Sequence, residues 1–195
     1  MPHAMFLRRL LLTFPLCLAA VSGWATETDD AWAALQAGGK IVFIRHAVTD
    51  PGIGDPPGFL LADCRTQRNL SARGRANAER LGAAFRARQV PVHAVLSSRW
   101  CRCLDTAKLA FGKADAAPML DSTFTEAEPG RQLKQRAVFD VAGRHVGPGN
   151  LVMVSHAQNI QELTGVSPAA GEVVVAALDG PGRFKVIARL QLPGD

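Results

Sequence analysis

The sequence predicts a layered α/β domain, because short apolar runs of strand length alternate along it with segments of helical periodicity. The clearest strand covers residues 40–45, where four consecutive apolar residues are typical of a strand buried on both faces of a sheet. A second run of the same kind covers 150–154. Each run is followed by a histidine, at Arg45-His46 and at Ser155-His156. Ligands of open α/β sheets bind beyond the carboxyl ends of the strands, so these two ends mark a candidate site.

The other elements follow from the same periodicities. Asp29 and Asp30 are expected to cap the first helix, and Asp179–Gly182 is expected to turn a hairpin. Residues 50–58 contain three prolines, and we interpret them as a flexible rim beside Arg45-His46. The remaining predictions are helices over 31–37, 71–88, 100–111, 132–146 and 158–163, and strands over 91–96, 118–120, 172–178 and 184–190.

Length and composition fit one globular domain. The chain has 195 residues, of which 48% are hydrophobic and 20% charged. Its formal net charge is +5, which falls to +3 if a leader containing Arg8 and Arg9 is removed. That excess suits an anionic small molecule and is too weak to indicate a nucleic-acid partner. No tyrosine is present, which removes one kind of nucleophile and one stacking platform for bases.

The first 25 residues resemble a secretory signal peptide. Arg8-Arg9 provide the positive start, residues 10–21 an apolar core, and Gly23-Trp24-Ala25 small residues before a cut after Ala25. The apolar core is too short to span a bilayer comfortably, so no stable membrane insertion is expected. The sequence therefore predicts residues 1–25 as a signal peptide and 26–195 as a single exported domain in the periplasm.

Cysteine usage fits an oxidising compartment. If Cys17 leaves with the signal peptide, Cys64, Cys101 and Cys103 remain. Cys101 and Cys103 are too close in sequence for an easy mutual bridge, so we expect a disulfide from Cys64 to one of them. A metal site is the alternative, although a Cys-x-Cys pair with one remote cysteine is a weak ligand pattern.

These features resemble the histidine phosphatase superfamily, whose hallmark is Arg-His-Gly after the first strand. Ser97–Ala107, which includes Arg102 and ends in Thr106-Ala107, is similar to a second motif of that family. Leu70-Ser71-x-x-Gly74 resembles the segment that opens its first long helix, and His156 follows a strand as the family's second histidine does. The similarity runs from about residue 40 to 190. It implies a three-layer α/β/α domain with a mostly parallel sheet, as in phosphoglycerate mutase.

The resemblance also implies a phosphate site. Arg45, Arg102 and a protonated His156 would hold the phosphoryl oxygens, because a phosphomonoester dianion must be neutralised before attack. His46 would attack through one ring nitrogen to form a phosphohistidine, which water then hydrolyses. Its other N–H would be held by a backbone carbonyl. The resemblance implies no metal and no other cofactor.

Two departures from the family pattern matter. Ala47 replaces the glycine after the histidine, a small residue for a small one. The general acid is less clear: Glu126 is our preferred candidate over Glu128, and some short members of the family lack an acid at that position. A site without a strong acid would favour good leaving groups such as phosphohistidine.

Arg65 and Arg68 are two further cations beside the predicted long helix. They could bind a second anionic group of the substrate, but we favour turn capping and surface charge.

The leading hypothesis from sequence is a metal-independent phosphomonoester hydrolase acting on a phosphorylated small molecule of the cell envelope or periplasm. Phosphohistidine-protein phosphatase activity is one alternative, although export argues against a cytoplasmic phosphorelay partner. A non-catalytic protein that binds a phosphorylated ligand is another. The weakest alternative is a metal-binding protein that uses His46, His156 and cysteines.

Overall fold

A single six-stranded sheet organises the part of the chain described by the computed structural model, residues 27–192. The predicted signal peptide, residues 1–25, lies outside the described residues. The strands are β1 (Ile41–Arg45), β2 (Val92–Ser97), β3 (Asp115–Ala116), β4 (Asn150–Ser155), β5 (Val173–Leu178) and β6 (Phe184–Leu190). The helices are α1 (Glu27–Ala37), α2 (Ala72–Ala87), α3 (Cys101–Phe111), α4 (Gly130–Arg144) and α5 (Ala157–Thr164).

The strand order is β3-β2-β4-β1-β5-β6. β1, β2, β3 and β4 are parallel, whereas β5 and β6 form an antiparallel hairpin whose first strand pairs with β1. Arg45 is in register with Ser155, and Ser97 with Val154. The carboxyl ends of β1, β2 and β4 therefore meet at one edge of the sheet, and the predicted mostly parallel α/β architecture is confirmed.

Helices cover both faces of the sheet because alternate strand residues point to opposite sides. Val42 and Ile44 belong to a core that they share with α1, α2 and α3. Ile41 and Phe43 belong to a second core, shared with α4 and α5. All four side chains are buried, which explains the continuous apolar run of β1.

Two glycines of α2 allow close packing next to the sheet edge. A Cβ on Gly74 would lie 1.8 Å from the carbonyl oxygen of Val48, and one on Gly82 would lie 2.0 Å from that of Ala110. The start of α2 is thereby brought against the segment that follows His46, and its middle against α3. Ser71 caps the helix by accepting a hydrogen bond from the Gly74 amide at 3.1 Å.

Several local predictions need correction. Residues 118–120 form a 3₁₀ turn instead of a strand, since Pro118 occupies its first position, and the third strand is the two-residue β3. Asp29 and Asp30 lie inside α1 instead of capping it. Trp100 precedes α3 instead of lying within it. No helix of residues 27–192 is long and apolar enough to cross a membrane.

Candidate active site

His46 and His156 meet at the shared carboxyl edge of β1 and β4. Their ring centroids lie 5.6 Å apart, with the ring planes inclined at 69°. Both residues are buried, with 5% and 6% of their surface exposed. The two strand ends singled out in the sequence therefore form one site.

His46 is held in one tautomer by the backbone. Its Nδ1 lies 2.9 Å from the carbonyl oxygen of Ala47, which can only accept a hydrogen bond, so Nδ1 carries the proton. Nε2 then carries the lone pair, and it makes no hydrogen bond within residues 27–192. Ala47 is itself fixed, since its amide donates to Thr106 Oγ1 at 3.0 Å. Gln89 is the only non-glycine residue with a positive φ among the described residues. The φ angle of Ala47 is therefore negative, and this position does not need the conformational freedom of a glycine.

Both histidines are kept neutral in the free protein. Burial lowers the pKa of His46 to about 3, and nearby arginine charges add to the effect against the opposing hydrogen bond to Ala47. Burial also lowers the pKa of His156 well below its ordinary value, helped by His46 and Arg102. The protonated His156 that the resemblance implies for the phosphate complex stays a prediction. In the unliganded protein the ring is neutral, because a buried imidazolium beside arginines would be unfavourable.

His156 is bordered by the end of β2 and the start of α3. Its Nε2 lies 2.9 Å from Ser98 Oγ and 3.5 Å from the thiol of Cys103. The hydroxyl of Ser98 reaches Asp121 Oδ1 at 3.4 Å. Trp100 packs edge-on against the His156 ring, with centroids 5.5 Å apart. The second histidine is therefore oriented from one side by a serine that is backed by a carboxylate.

Arg45 and Arg102 provide buried donors beside the histidines. Nη1 of Arg45 donates to the Pro168 carbonyl oxygen at 3.0 Å, and Nη1 of Arg102 donates to Asp55 Oδ1 at 2.7 Å. The Nε atom of each arginine is buried and has no hydrogen-bond partner in residues 27–192. A buried donor without an acceptor is unfavourable, so an anion that reached these atoms would be stabilised.

The start of α3 is secured by the segment before α2. The Cys101 amide donates to the side-chain oxygen of Gln67 at 3.0 Å, and Cys101 forms a disulfide with Cys64. This pairing confirms the expected bridge and selects Cys101 over Cys103, which is free and buried. Burial raises the pKa of the Cys103 thiol to about 12. Arg102 lies in the first turn of α3, as predicted.

The other predicted residues have local partners. Glu126 forms an ion pair with Lys134, and its role as the general acid stays a prediction. Glu128 pairs with Arg131. In the described chain, no group of three or more histidine, cysteine or acidic side chains could hold a metal ion.

Arg68 and Arg65 both make local contacts, and binding of a second anionic group by either of them stays a prediction. Arg68 donates to the carbonyl oxygens of Gly52 and Gly54 at 2.9 and 2.8 Å, which anchors the rim that we interpreted as flexible. Arg65 is largely exposed and pairs with Asp63.

One residue of the site was missed by sequence reasoning. Asp55 lies in the middle of the proline-rich rim, yet its side chain is only 7% exposed and contacts Arg102. No periodicity marks it, because a loop has none. The available signal was its place in the first loop after the strand that ends at Arg45-His46.

Comparison with known proteins identifies the family. The profile of the histidine phosphatase superfamily (branch 1) matches residues 41–145, which is more than half of the chain. The match begins at β1 and includes both arginines and His46. The chain therefore belongs to the histidine phosphatase superfamily, and its class is that of the phosphoric monoester hydrolases. No curated protein matches the sequence significantly.

Solved structures share the fold at low sequence identity. The protein histidine phosphatase SixA, complexed with tungstate, is 14% identical with a TM-score of 0.53, covering 77% of this chain and 96% of its own. A putative α-ribazole-5′-P phosphatase from Escherichia coli is 16% identical with a TM-score of 0.54, and the match covers 76% of this chain and 94% of that one. A mycobacterial glucosyl-3-phosphoglycerate phosphatase is 16% identical with a TM-score of 0.53, and the match covers 76% of this chain and 97% of that one.

Proposed function

We propose that this protein hydrolyses phosphomonoesters through a phosphohistidine intermediate on His46. The observation that carries the proposal is the pair of buried Nε donors on Arg45 and Arg102, which lack acceptors at the site where a neutral imidazole has its Nε2 lone pair free. Two guanidinium groups next to an uncharged nucleophile suit a phosphoryl dianion. The tungstate complex of the SixA neighbour, which holds a tetrahedral oxyanion, supports this choice of ligand.

In the first chemical step, the lone pair of His46 Nε2 forms a bond to phosphorus while the bond to the leaving oxygen breaks with its electron pair. The ring then carries a positive charge, which the Nδ1–H bond to the Ala47 carbonyl stabilises. In the second step, water attacks phosphorus, the P–N bond breaks, and neutral His46 and inorganic phosphate are released. Glu126 remains our candidate for protonating the leaving oxygen, and its carboxylate would take back a proton from the attacking water in the second step.

His156 completes the phosphate site in this proposal. Its pKa is low in the free protein because it is buried close to cations. A bound dianion would offset that positive charge, so we expect His156 to take up a proton when phosphate binds. A protonated His156 would then donate to a phosphoryl oxygen.

We propose a phosphorylated small molecule of the cell envelope or periplasm as the substrate. The Cys64–Cys101 disulfide supports an oxidising compartment, and the apolar leader supports export. Two of the neighbours are named for phosphorylated small molecules, whereas SixA is named for protein histidine. Phosphohistidine in a protein is therefore the second candidate substrate.

The deciding experiment is hydrolysis of p-nitrophenyl phosphate in the presence of a chelator, by the wild type and by His46→Ala. This substrate has a good leaving group, so it reports on the nucleophile even if the acid is weak. We expect turnover by the wild type alone, and a phosphohistidine trapped by rapid alkaline quenching. Retained activity in His46→Ala would overturn the nucleophile assignment. Tight phosphate binding without any phosphohistidine would favour the non-catalytic binding protein.

A further inference from the structure

Asp55 brings a buried carboxylate from the rim, residues 50–58, to the start of α3. Its Oδ1 accepts hydrogen bonds from Arg102 Nη1 at 2.7 Å and from the Arg68 amide at 3.0 Å. Its Oδ2 accepts from the indole Nε1 of Trp100 at 2.9 Å. The carboxylate is therefore satisfied by three donors from segments distant in sequence.

The ion pair between Asp55 and Arg102 is buried on both sides, with 7% and 5% of the side chains exposed. It occupies Nη1 of the guanidinium and leaves Nε without an acceptor among residues 27–192. Because a guanidinium is planar, fixing the direction of one N–H group fixes the direction of the others. Nη1 also donates to the Arg68 carbonyl oxygen, at 3.4 Å, and the shorter contact with Asp55 contributes most to where the remaining donors of Arg102 point.

The charge state of Asp55 agrees with this arrangement. Burial alone would raise its pKa, but the hydrogen bonds from Arg102, the Arg68 amide and Trp100 outweigh burial and hold the pKa below its ordinary value. Asp55 is therefore ionised at neutral pH and neutralises Arg102 in the free protein. A phosphoryl group then meets an arginine that is already desolvated and oriented.

Hydrogen bonds from Arg68 hold the rim, and with it Asp55, in place. The Arg68 side chain donates to carbonyl oxygens on both sides of Ile53 and to Thr49 Oγ1 at 2.7 Å. Trp100, which bonds to Asp55, also packs against the ring of His156. Asp55 consequently connects the rim to both Arg102 and the neighbour of the second histidine.

We propose that Asp55 is a positioning residue, which holds Arg102 through a buried ion pair so that its free donors face the phosphoryl oxygens. The inference rests on the proposed function and adds a residue that acts on the reaction through Arg102. It predicts that loss of the carboxylate weakens phosphate binding without unfolding the protein. A purely structural role predicts a loss of folded protein, while the molecules that remain folded bind phosphate normally.

The test compares Asp55→Asn with Asp105→Asn, a matched control. Asp105 lies on the same helix as Arg102 and pairs with Arg75, but that pair is exposed to solvent. KM and kcat are measured with p-nitrophenyl phosphate, and inhibition constants with inorganic phosphate and orthovanadate. For Asp55→Asn, we expect KM and both inhibition constants to rise about tenfold, as for one lost charge-assisted hydrogen bond. The control should change each value less than about twofold, as is usual for exposed pairs.

Either of two results with Asp55→Asn would overturn the proposal. A reduced kcat with unchanged KM and inhibition constants would indicate a structural role. Tighter binding of phosphate would indicate that Asp55 competes with the ligand for Arg102. If the variant does not fold, Asp55→Glu replaces it, since the added methylene displaces the charge without removing it. Unchanged inhibition constants in that variant would contradict the proposal, and raised constants at an unchanged melting temperature would support it.

Action through Arg102 has its own test, in which Asp55→Asn is introduced into Arg102→Ala. If Asp55 works through Arg102, the double variant should match Arg102→Ala in KM and inhibition constants. If the two substitutions acted independently, their effects on KM and on the inhibition constants would multiply in the double variant, and that result would contradict the proposal. Failure of the wild type to hydrolyse p-nitrophenyl phosphate and to bind orthovanadate would remove the proposed function itself. An active wild type with an identical Asp55→Asn would remove only this inference.

Discussion

The single hydroxyl of Ser98 connects His156 to a buried carboxylate. It lies within hydrogen-bond distance of His156 Nε2 and is backed by the buried carboxylate of Asp121. Ser97, its neighbour, is also buried, but its hydroxyl donates to the carbonyl oxygen of Ser98 at 2.9 Å and does not contact a histidine. The two adjacent serines therefore have similar burial and different partners.

Ser98→Ala should lower kcat/KM for p-nitrophenyl phosphate by about tenfold, since His156 loses the group that orients its ring. Ser97→Ala removes an equally buried hydroxyl and should leave kcat/KM within about twofold. Both variants should lose about 1 kcal/mol of unfolding free energy, measured by urea denaturation. An equal fall of kcat/KM in the two variants would contradict a specific role of Ser98.

Individual site residues differed in how well the sequence could indicate them. Arg45 ends a buried strand, His46 and His156 directly follow buried strands, and Arg102 lies four residues after Ser98, so local motifs were sufficient to select them. Asp55 is 47 positions from Arg102, and their contact depends on how the rim folds back. The neutral state of His156 was also beyond sequence reasoning, because it depends on burial and on surrounding charges that only the folded chain brings together.

The segment between the rim and α2 is held to α3 by a covalent bond and a helix cap. Cys64 and Cys101 are 37 positions apart, and the bond between them lies next to Arg102. Gln67 supplies the cap that Trp100 does not provide, since the Trp100 side chain makes no capping hydrogen bond. The first turn of α3, which carries Arg102, is consequently fixed by two contacts from one segment.

Reduction of the disulfide should lower the free energy of unfolding by about 3–4 kcal/mol, the amount expected for closing a loop of this length. Melting curves with and without a strong reductant measure the loss. The double variant Cys64→Ser/Cys101→Ser is the control, because it should melt at the lower temperature whether or not reductant is present. Cys103 is not expected to replace a lost partner, since its thiol is buried with a pKa raised to about 12. An unchanged melting temperature of the reduced wild type would disprove the stabilising role.

At the scale of elements, apolar periodicity was a reliable guide and capping chemistry less so. β1, β4, β5 and β6 were predicted within a residue or two at their ends, because their runs are bounded by glycine, proline and polar residues. Residues 118–120 were misjudged since Pro-Met-Leu is apolar and three residues contain no period that separates a strand from a 3₁₀ turn. Asp29 and Asp30 suggested a cap only because they precede an alanine-rich stretch.

The whole molecule is arranged so that three parallel strands end at one edge. Parallel pairing of β1, β2 and β4 was implied by the resemblance, and it accounts for the convergence of the histidines and Arg102. The order of the strands could not be predicted, because the runs of β4 and β5 are equally apolar and either could lie beside β1. In the structure β1 pairs with both, and the burial of His46 at the end of β1 follows from that central position.

Burial of the two histidines should make the unfolding free energy of the protein depend on pH. His46 and His156 are neutral in the folded protein, whereas in the unfolded chain they titrate near the ordinary value of 6.5. As pH falls below 6.5, the unfolded state takes up protons that the folded state refuses, so stability decreases. The loss continues until the folded pKa is reached, which for His46 is about 3.

Between pH 7 and pH 5, each of these histidines should therefore cost up to about 2 kcal/mol of unfolding free energy. Urea denaturation at a series of pH values measures the slope for the wild type, His46→Gln and His156→Gln. The unfolding free energy of each variant should fall less steeply with decreasing pH than that of the wild type, because one group that resists protonation has been removed. The stabilities at pH 7 are compared separately. A wild type whose stability is flat from pH 7 to pH 5 would show that the two imidazoles are protonated as easily in the folded site as in the unfolded chain. That result would contradict the lowered pKa values of His46 and His156.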